Sequence, residues 1–256
     1  HLFPFLQPGS DLLDTGSRQA HTKGVNKILM KFGDYNDRGL GKQTTDKYPW
    51  NEHKLNSQGY RCPEWDPMPD GKKNVVVLGC SHTFGQALDD NEHWVSHLSQ
   101  HNTSRLRYWN LGVPGASGDS CVRLLWGTQN LIDPRIVIMC WPDESRRELS
   151  DPAHNSMEHD TDNFLKNVFV AEKFGEITQS KVFHCFAQNT VEHPDLKNIN
   201  VLEEYTLANC WPYWDKFTAR ALHPEPDLAR DGVHYGAKHH ERFAQLFLEK
   251  FSVKLK

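Results

Sequence analysis

The length, composition and charge of this chain fit one globular domain with some additional structure. Its 256 residues are 38% hydrophobic and 24% charged, which allows one substantial core but hardly two. The formal net charge of −4, without any run of Lys and Arg, argues against a nucleic-acid-binding surface. No apolar stretch approaches the ~18 residues of a transmembrane helix. We therefore expect neither nucleic acid nor a membrane as a partner.

Six scattered cysteines predict reduced thiols rather than a disulfide framework. They stand at positions 62, 80, 121, 140, 185 and 210, without a C-x-x-C pair. Disulfide frameworks usually serve small secreted domains that lack a core, and this chain is large enough not to need one. We expect a cytoplasmic location. A phage-associated protein, or secretion after removal of a leader, stays open because the sequence starts with His.

Residues 1–73 differ in composition from the rest and predict an N-terminal extension that packs on the main domain. They are rich in Gly, Asp, Asn, Lys and Pro, and they contain few apolar residues. Aromatic residues such as Tyr60 and Trp65, which disordered segments usually lack, would anchor the extension. The main domain is predicted to span residues 74–256.

From residue 74 onward, short apolar runs alternate with amphipathic segments of helix length. This alternation is typical of a parallel sheet with helices on both faces. The predicted strands are Val75–Gly79, Leu106–Leu111, Arg135–Cys140, Lys181–Ala187 and Ile199–Leu202. The predicted helices cover residues 91–100, 118–131, 161–178 and 236–251. We predict an α/β fold, a flavodoxin-like three-layer α/β/α sandwich with a five-stranded parallel sheet, whose ligand site lies beyond the carboxyl ends of the strands.

Two polar clusters directly follow the first and second predicted strands, and a third precedes the last predicted helix. Ser81 comes directly after the first strand, residues 110–117 follow the second, and Asp231 precedes His234 by three residues. A serine hydroxyl is a poor nucleophile until an imidazole removes its proton, and a carboxylate on the other ring nitrogen fixes the tautomer. The order Ser, Asp, His without G-x-S-x-G argues against the nucleophile-elbow hydrolases.

In these clusters the sequence resembles the SGNH (GDSL-like) hydrolase superfamily. Residues 79–81 (Gly-Cys-Ser) stand where that family has Gly-Asp-Ser, and residues 110–115 resemble its second block. Residues 231–234 match its final D-x-x-H block. Upstream, residues 56–61 resemble an N-x-x-G-[FY]-R element often found before the domain in bacterial and phage members.

The resemblance implies a serine esterase that acts through a Ser-His-Asp triad. Ser81 would be the nucleophile, His234 the base and Asp231 its orienting carboxylate. The backbone amides of Ser81 and Gly115 would form the oxyanion hole. The implied substrate is a short-chain or acetyl ester of a small molecule or carbohydrate, and no metal or organic cofactor is required. The oligomeric state stays open.

One block departs from the family pattern, which is G-x-N-D after the third strand with the Asn side chain as an oxyanion donor. Pro142 stands where that Asn would be, and proline has no donor. Loss of one such donor can lower turnover by ~10²–10³-fold. Arg146, Arg147 and Asn189 are candidates to replace it or to bind substrate, although the sequence favours a solvated or salt-bridged face for both arginines.

Other functions stay open at this point. Taken alone, Ser81 could be a helix N-cap, and Asp231 a turn residue. A non-catalytic binding or structural protein could retain the fold, and an O-acyltransferase would use the same triad. His93, His97 and His101 recur at a spacing that can ligate zinc, but no further ligand is evident, so we predict an exposed helical face.

Overall fold

A computed structural model describes residues 53–65, 70–101, 103–147, 157–210, 214–215, 220–221 and 227–255. Most of the predicted N-terminal extension, residues 1–52, therefore lies outside the described residues. In chain order the elements are β1 (Lys73–Gly79), α1 (Ser81–Phe84), α2 (Trp94–Ser99), β2 (Leu106–Gly112), α3 (Gly118–Ile132), β3 (Pro134–Trp141), α4 (Met157–Thr178), β4 (Lys181–Phe186), a 3₁₀ helix (Pro194–Asn198), β5 (Trp214–Asp215), β6 (Arg220–Ala221) and α5 (Ala237–Phe251).

The centre of the protein is a parallel sheet in the order β2-β1-β3-β4. Its middle strand β1 is buried on both faces, which explains the continuous apolar run over residues 75–78. A two-residue antiparallel pair, β5 and β6, lies apart from this sheet. None of the helices in the described part of the chain combines the length and apolar character needed to span a bilayer.

Helices cover both faces of the sheet, as consecutive residues of β4 show. Val182 faces α4, because a Cβ added to Gly175 of that helix would lie 2.6 Å from the Val182 side chain. Phe183 points to the opposite face, where its ring meets those of Phe247 and Phe251 in α5 at 6.2 and 5.0 Å. The predicted three-layer α/β/α sandwich is confirmed.

The predicted fifth strand is wrong, because residues 199–202 form only a single parallel bridge between His184 and Val201. Two backbone hydrogen bonds make it, from His184 N to Asn200 O at 2.8 Å and from Leu202 N to His184 O at 2.9 Å. The 3₁₀ helix ends immediately before this segment, and the next backbone hydrogen bonds to this edge come only from Leu207 and Ala208, to Phe186 O and Ala187 O. The parallel sheet of the described residues thus has four strands.

The predicted exposed histidine face on α2 is also wrong. His93 is only 5% exposed, and its Nδ1 accepts the Ser96 N–H at 3.1 Å, so it caps the helix, which begins at Trp94. His97 and His101 are half-buried. Tertiary packing decides this: the Trp94 ring lies edge-on to Phe243 of α5 at 5.3 Å and draws the helix against the last one.

The end of the N-terminal region contacts the sheet domain. Tyr60 is fully buried, belongs to the same hydrophobic core as β1, and stacks on Trp65 at 5.2 Å. The division of the chain at residue 73 stays a prediction. The cysteines at 62, 80, 140, 185 and 210 are free thiols, and every cysteine except Cys62 is buried.

Candidate active site

A tight turn at the carboxyl end of β1 carries Ser81. In the single-turn helix α1, the N–H groups of Thr83 and Phe84 both donate to Cys80 O at 3.0 Å. Gly85 ends the turn in the left-handed region with φ +79°. A Cβ on Gly112 of the neighbouring strand would lie 2.3 Å from the Phe84 nitrogen, so only glycine lets the turn pack this closely on β2.

Ser81, His234 and Asp231 form a continuous chain of hydrogen-bonding groups. The Ser81 Oγ lies 3.0 Å from His234 Nε2, and His234 Nδ1 lies 2.6 Å from Asp231 Oδ2. An ionised carboxylate can only accept, so Nδ1 carries the ring proton and Nε2 is left to accept the serine hydroxyl. The three side chains, 153 residues apart in sequence at the widest, meet at the carboxyl edge of the sheet.

The turn that carries Asp231 and His234 also fixes the carboxylate. Asp231 Oδ1 accepts the backbone N–H groups of Val233 and His234, both at 3.0 Å. Gly232, between Asp231 and Val233, has φ +68°. Burial raises the pKa of Asp231, but these hydrogen bonds and the one from the His234 ring outweigh it and hold the pKa below its ordinary value. The carboxylate is therefore ionised at neutral pH.

The second block is tied to the turn of Ser81 by a buried side chain. Asn110 Nδ2 donates to Thr83 O at 2.9 Å, and its Oδ1 accepts the Gly112 N–H at 3.0 Å. Sequence analysis singled out Asn110 only as part of a motif. The backbone N–H groups of Ser81 and Gly115 donate to no other group among the described residues.

The third block places the three candidate donors in different surroundings. Arg147 pairs with Asp160 at 2.5 Å, and Asn189 donates its amide to Asp143 at 3.2 Å. Arg146 is half-buried, and its side chain makes no hydrogen bond or ion pair with any residue that the structure describes. Its positive charge instead contributes to lowering the pKa of His82, the residue after Ser81. Of the three candidates, Arg146 is thus the one whose side chain has no partner among the described residues and whose charge acts on the residue next to Ser81.

A column of aromatic rings backs the His234 imidazole. The buried His82 ring lies edge-on to His234 at 5.2 Å and stacks on Tyr235 at 4.8 Å. Tyr235 in turn stacks on His239 at 5.2 Å, whose Nδ1 lies 2.9 Å from Asp227 Oδ2. Burial, helped by the charges of His234 and Arg146, lowers the pKa of His82 to about 3, so this ring stays neutral. The sequence gives no sign of this column, because the spacing of rings along the chain does not show which of them will stack.

Comparison with known proteins identifies the fold. No family model matches the sequence, and no curated protein is detectably similar to it in sequence. The structure is similar to that of TesA, with a TM-score of 0.52 at 13% identity, over 71% of this chain and 99% of that one. It is also similar to the psychrotrophic esterase EstA from Pseudoalteromonas sp., with a TM-score of 0.50 at 11% identity, over 72% and 99% of the two chains.

The fold is one found in known proteins, and the hydrogen-bonded side chains lie at the edge of its sheet. The chain has the α/β/α fold that TesA and EstA share, which confirms the fold implied by the SGNH-like motifs. At the carboxyl edge of its sheet it carries a hydrogen-bonded serine, histidine and aspartate. Within the described residues, no group of three or more His, Cys, Asp or Glu side chains is arranged to hold a metal ion.

Proposed function

We propose that this protein is a serine esterase of the SGNH type that hydrolyses short-chain acyl esters of a small-molecule or carbohydrate alcohol. The single observation that carries the proposal is the 3.0 Å approach of Ser81 Oγ to His234 Nε2, with Asp231 on the other ring nitrogen. A hydroxyl so placed can lose its proton to the imidazole as it attacks. The likeness in fold to the esterase EstA is consistent with this activity.

The chemistry follows from this geometry. Ser81 Oγ attacks the ester carbonyl carbon while His234 takes the hydroxyl proton, and Asp231 stabilises the resulting imidazolium. The carbonyl oxygen becomes an oxyanion that accepts hydrogen bonds from the backbone N–H groups of Ser81 and Gly115. Collapse breaks the ester bond, and His234 returns the proton to the departing alcohol. Water then attacks the acyl-enzyme by the same route and releases the acid.

The direct test is covalent labelling of the nucleophile. A fluorophosphonate is expected to phosphonylate Ser81 in the folded protein and to leave other buried serines, such as Ser117 and Ser180, unmodified. The labelled position is read by peptide mass spectrometry, with heat-denatured protein as the control. Folded protein that stays unlabelled and does not hydrolyse p-nitrophenyl acetate would refute the proposal.

We propose that Arg146 supplies the third oxyanion donor that Pro142 cannot. Arg146→Ala is expected to lower kcat by about 10²-fold with little change in KM, because the interaction forms only in the transition state. The matched control is Arg147→Ala, whose guanidinium already pairs with Asp160 and whose loss should leave kcat unchanged. Wild-type kcat in Arg146→Ala would mean that the two amides suffice. A change in KM alone would instead make Arg146 a binding group for an anionic part of the substrate.

A second candidate is a non-catalytic binding protein, and the observation that favours it is Pro142 at the donor position of the third block. If the protein only binds a ligand, Ser81 should not be labelled and no ester should be hydrolysed. An O-acyltransferase is the third candidate, because it forms the same acyl-enzyme. Added alcohols would then divert the acyl group from water, which product analysis detects.

A further inference from the structure

A buried arginine from the segment before the sheet holds the turn that carries Ser81. The Arg61 side chain is 3% exposed, and its Nη1 donates to Phe84 O at 3.2 Å and to Gly85 O at 2.6 Å. Its Nη2 donates to Leu88 O at 2.7 Å, and Nε and Nη2 both reach Asp90 Oδ1, at 3.0 and 2.8 Å. One guanidinium thus contacts the backbone just after the single turn of Ser81 at three points.

The turn needs such a partner for elementary reasons. The last carbonyls of any helix lack partners within the helix, and in α1 they belong to buried residues. A helix of one turn is also far too short to be stable by itself. Asn110 binds the carbonyl of Thr83, and within the described chain Arg61 binds the next two, those of Phe84 and Gly85, so both side chains hold the conformation of Ser81.

Residues 87–92, which follow the turn of Ser81, also contact the loop that carries Asp231 and His234. Arg230, directly before Asp231, pairs with Asp89 at 2.7 Å and with Glu92 at 3.3 Å, and its N–H donates to Ala87 O at 3.3 Å. These two ion pairs are solvent-exposed and so contribute little. Arg61 is buried and binds backbone, so it is the stronger of the two connections.

We propose that Arg61 is a positioning residue for the reaction, acting through the turn of Ser81 rather than on the substrate. This inference rests on the proposed esterase function. A planar guanidinium with five donors can serve Phe84 O, Gly85 O, Leu88 O and Asp90 at once, and a lysine ammonium cannot. Loss of these contacts lets the turn shift Ser81 Oγ relative to His234 Nε2, and a displacement of ~1 Å can lower turnover by ~10²-fold.

The test compares Arg61→Lys with the wild type on the full chain. We expect kcat for p-nitrophenyl acetate and the rate of fluorophosphonate labelling to fall by about 10²-fold together, with KM little changed. Hydrogen exchange of the backbone amides in residues 83–88 should become faster in the variant. All measurements are made where circular dichroism shows both proteins to be folded.

A chemical rescue extends the test to the truncated side chain. A cavity of about 320 Å³, lined by Arg61, Asp90 and His93 among others, gives a small cation access to the vacated position. Methylguanidinium should therefore restore part of the kcat of Arg61→Ala and have no such effect on the wild type. Should Arg61→Ala not fold, Arg61→Lys and its exchange data carry the test.

The matched control is Arg107→Lys. Arg107 is also largely buried and pairs with Asp70, but it lies near the start of β2, at the opposite end of the sheet from Ser81. Its kcat and the exchange of residues 83–88 should stay at wild-type values. Equal losses in both variants, or an Arg61→Lys protein with wild-type kcat and exchange, would overturn the inference. An inert, unlabelled wild type would count against the esterase proposal instead, and unchanged exchange in Arg61→Lys would still decide against Arg61.

Discussion

Replacement of Ser81 by alanine is expected to lower ester turnover by at least ~10³-fold, with little change in the free energy of unfolding. The variant keeps His234, Asp231 and the amides of the oxyanion hole, but no nucleophile remains to form an acyl-enzyme. Stability should change little because the hydroxyl is placed to bond the His234 ring, which stays held by Asp231. Hydrolysis of p-nitrophenyl acetate and urea unfolding measure the two effects.

Controls separate loss of a nucleophile from loss of structure. Ser180→Ala removes another buried hydroxyl, one that donates to Pro134 O at 2.6 Å far from the triad, and should keep full turnover. Because triad residues act as a unit, a Ser81→Ala and His234→Ala double variant should be no slower than either single one. Undiminished turnover in Ser81→Ala would show that another group is the nucleophile.

The second large effect is loss of stability in mild acid. His82, His93 and His240 are buried, and burial lowers the pKa of each, in His82 to about 3. In His93 and His240, Nδ1 also accepts a backbone N–H, from Ser96 and Trp94 respectively, which requires the unprotonated atom. Folded protein therefore keeps these rings neutral, whereas the unfolded chain protonates them near pH 6.5.

The sign of the effect follows from the proton count. Stability from these rings is fully present above about pH 6.5 and decreases as the pH falls towards the folded pKa values. Each ring contributes up to ~1.4 kcal/mol per pH unit, so the three together lower the free energy of unfolding by up to ~4 kcal/mol per unit. Urea unfolding at about pH 7.5, 6.5, 5.5 and 4.5 measures this slope.

A variant tests the assignment of this slope to buried rings. His82→Phe preserves ring stacking and removes one titrating group, so its slope should be smaller by ~1.4 kcal/mol per pH unit. The comparison variant, Tyr235→Phe, keeps the ring that stacks on His82 and removes no group that titrates in this range, so it should keep the wild-type slope. A free energy of unfolding that is constant from pH 7.5 to about 5 would contradict the burial of these histidines.

The sequence predicted the centre of the fold better than its edge. The continuous apolar run in β1 could arise only in a strand or helix buried on all sides, and its length favoured a strand. The short run over residues 199–202 could not reveal that it would make only one bridge, because its own composition does not show how far it pairs with β4. Similarly, nothing local showed that Trp94 would pack α2 against α5.

For the candidate site, local geometry was predictable and long-range geometry was not. Asp231 and His234 share one turn, so their contact follows from a separation of three residues. The contact with Ser81 could be expected only from the order of motifs on an α/β pattern. The role of Arg61 could not be predicted from its partners. Most of them are backbone carbonyls, which every residue carries whatever its side chain.

The position of His234 and α5 at the end of the described chain has a consequence for biosynthesis. At ~5–20 residues per second, the 153 residues between Ser81 and His234 take roughly 8–30 s to translate. Until residues 237–251 emerge from the ribosome, the rings of Trp94 and Phe183 lack the phenylalanines that cover them. A nascent or prematurely ended chain therefore lacks the proposed base and leaves exposed the apolar surface that α5 covers. Chaperones and proteases can recognise that surface before an unfinished molecule could carry out the proposed reaction.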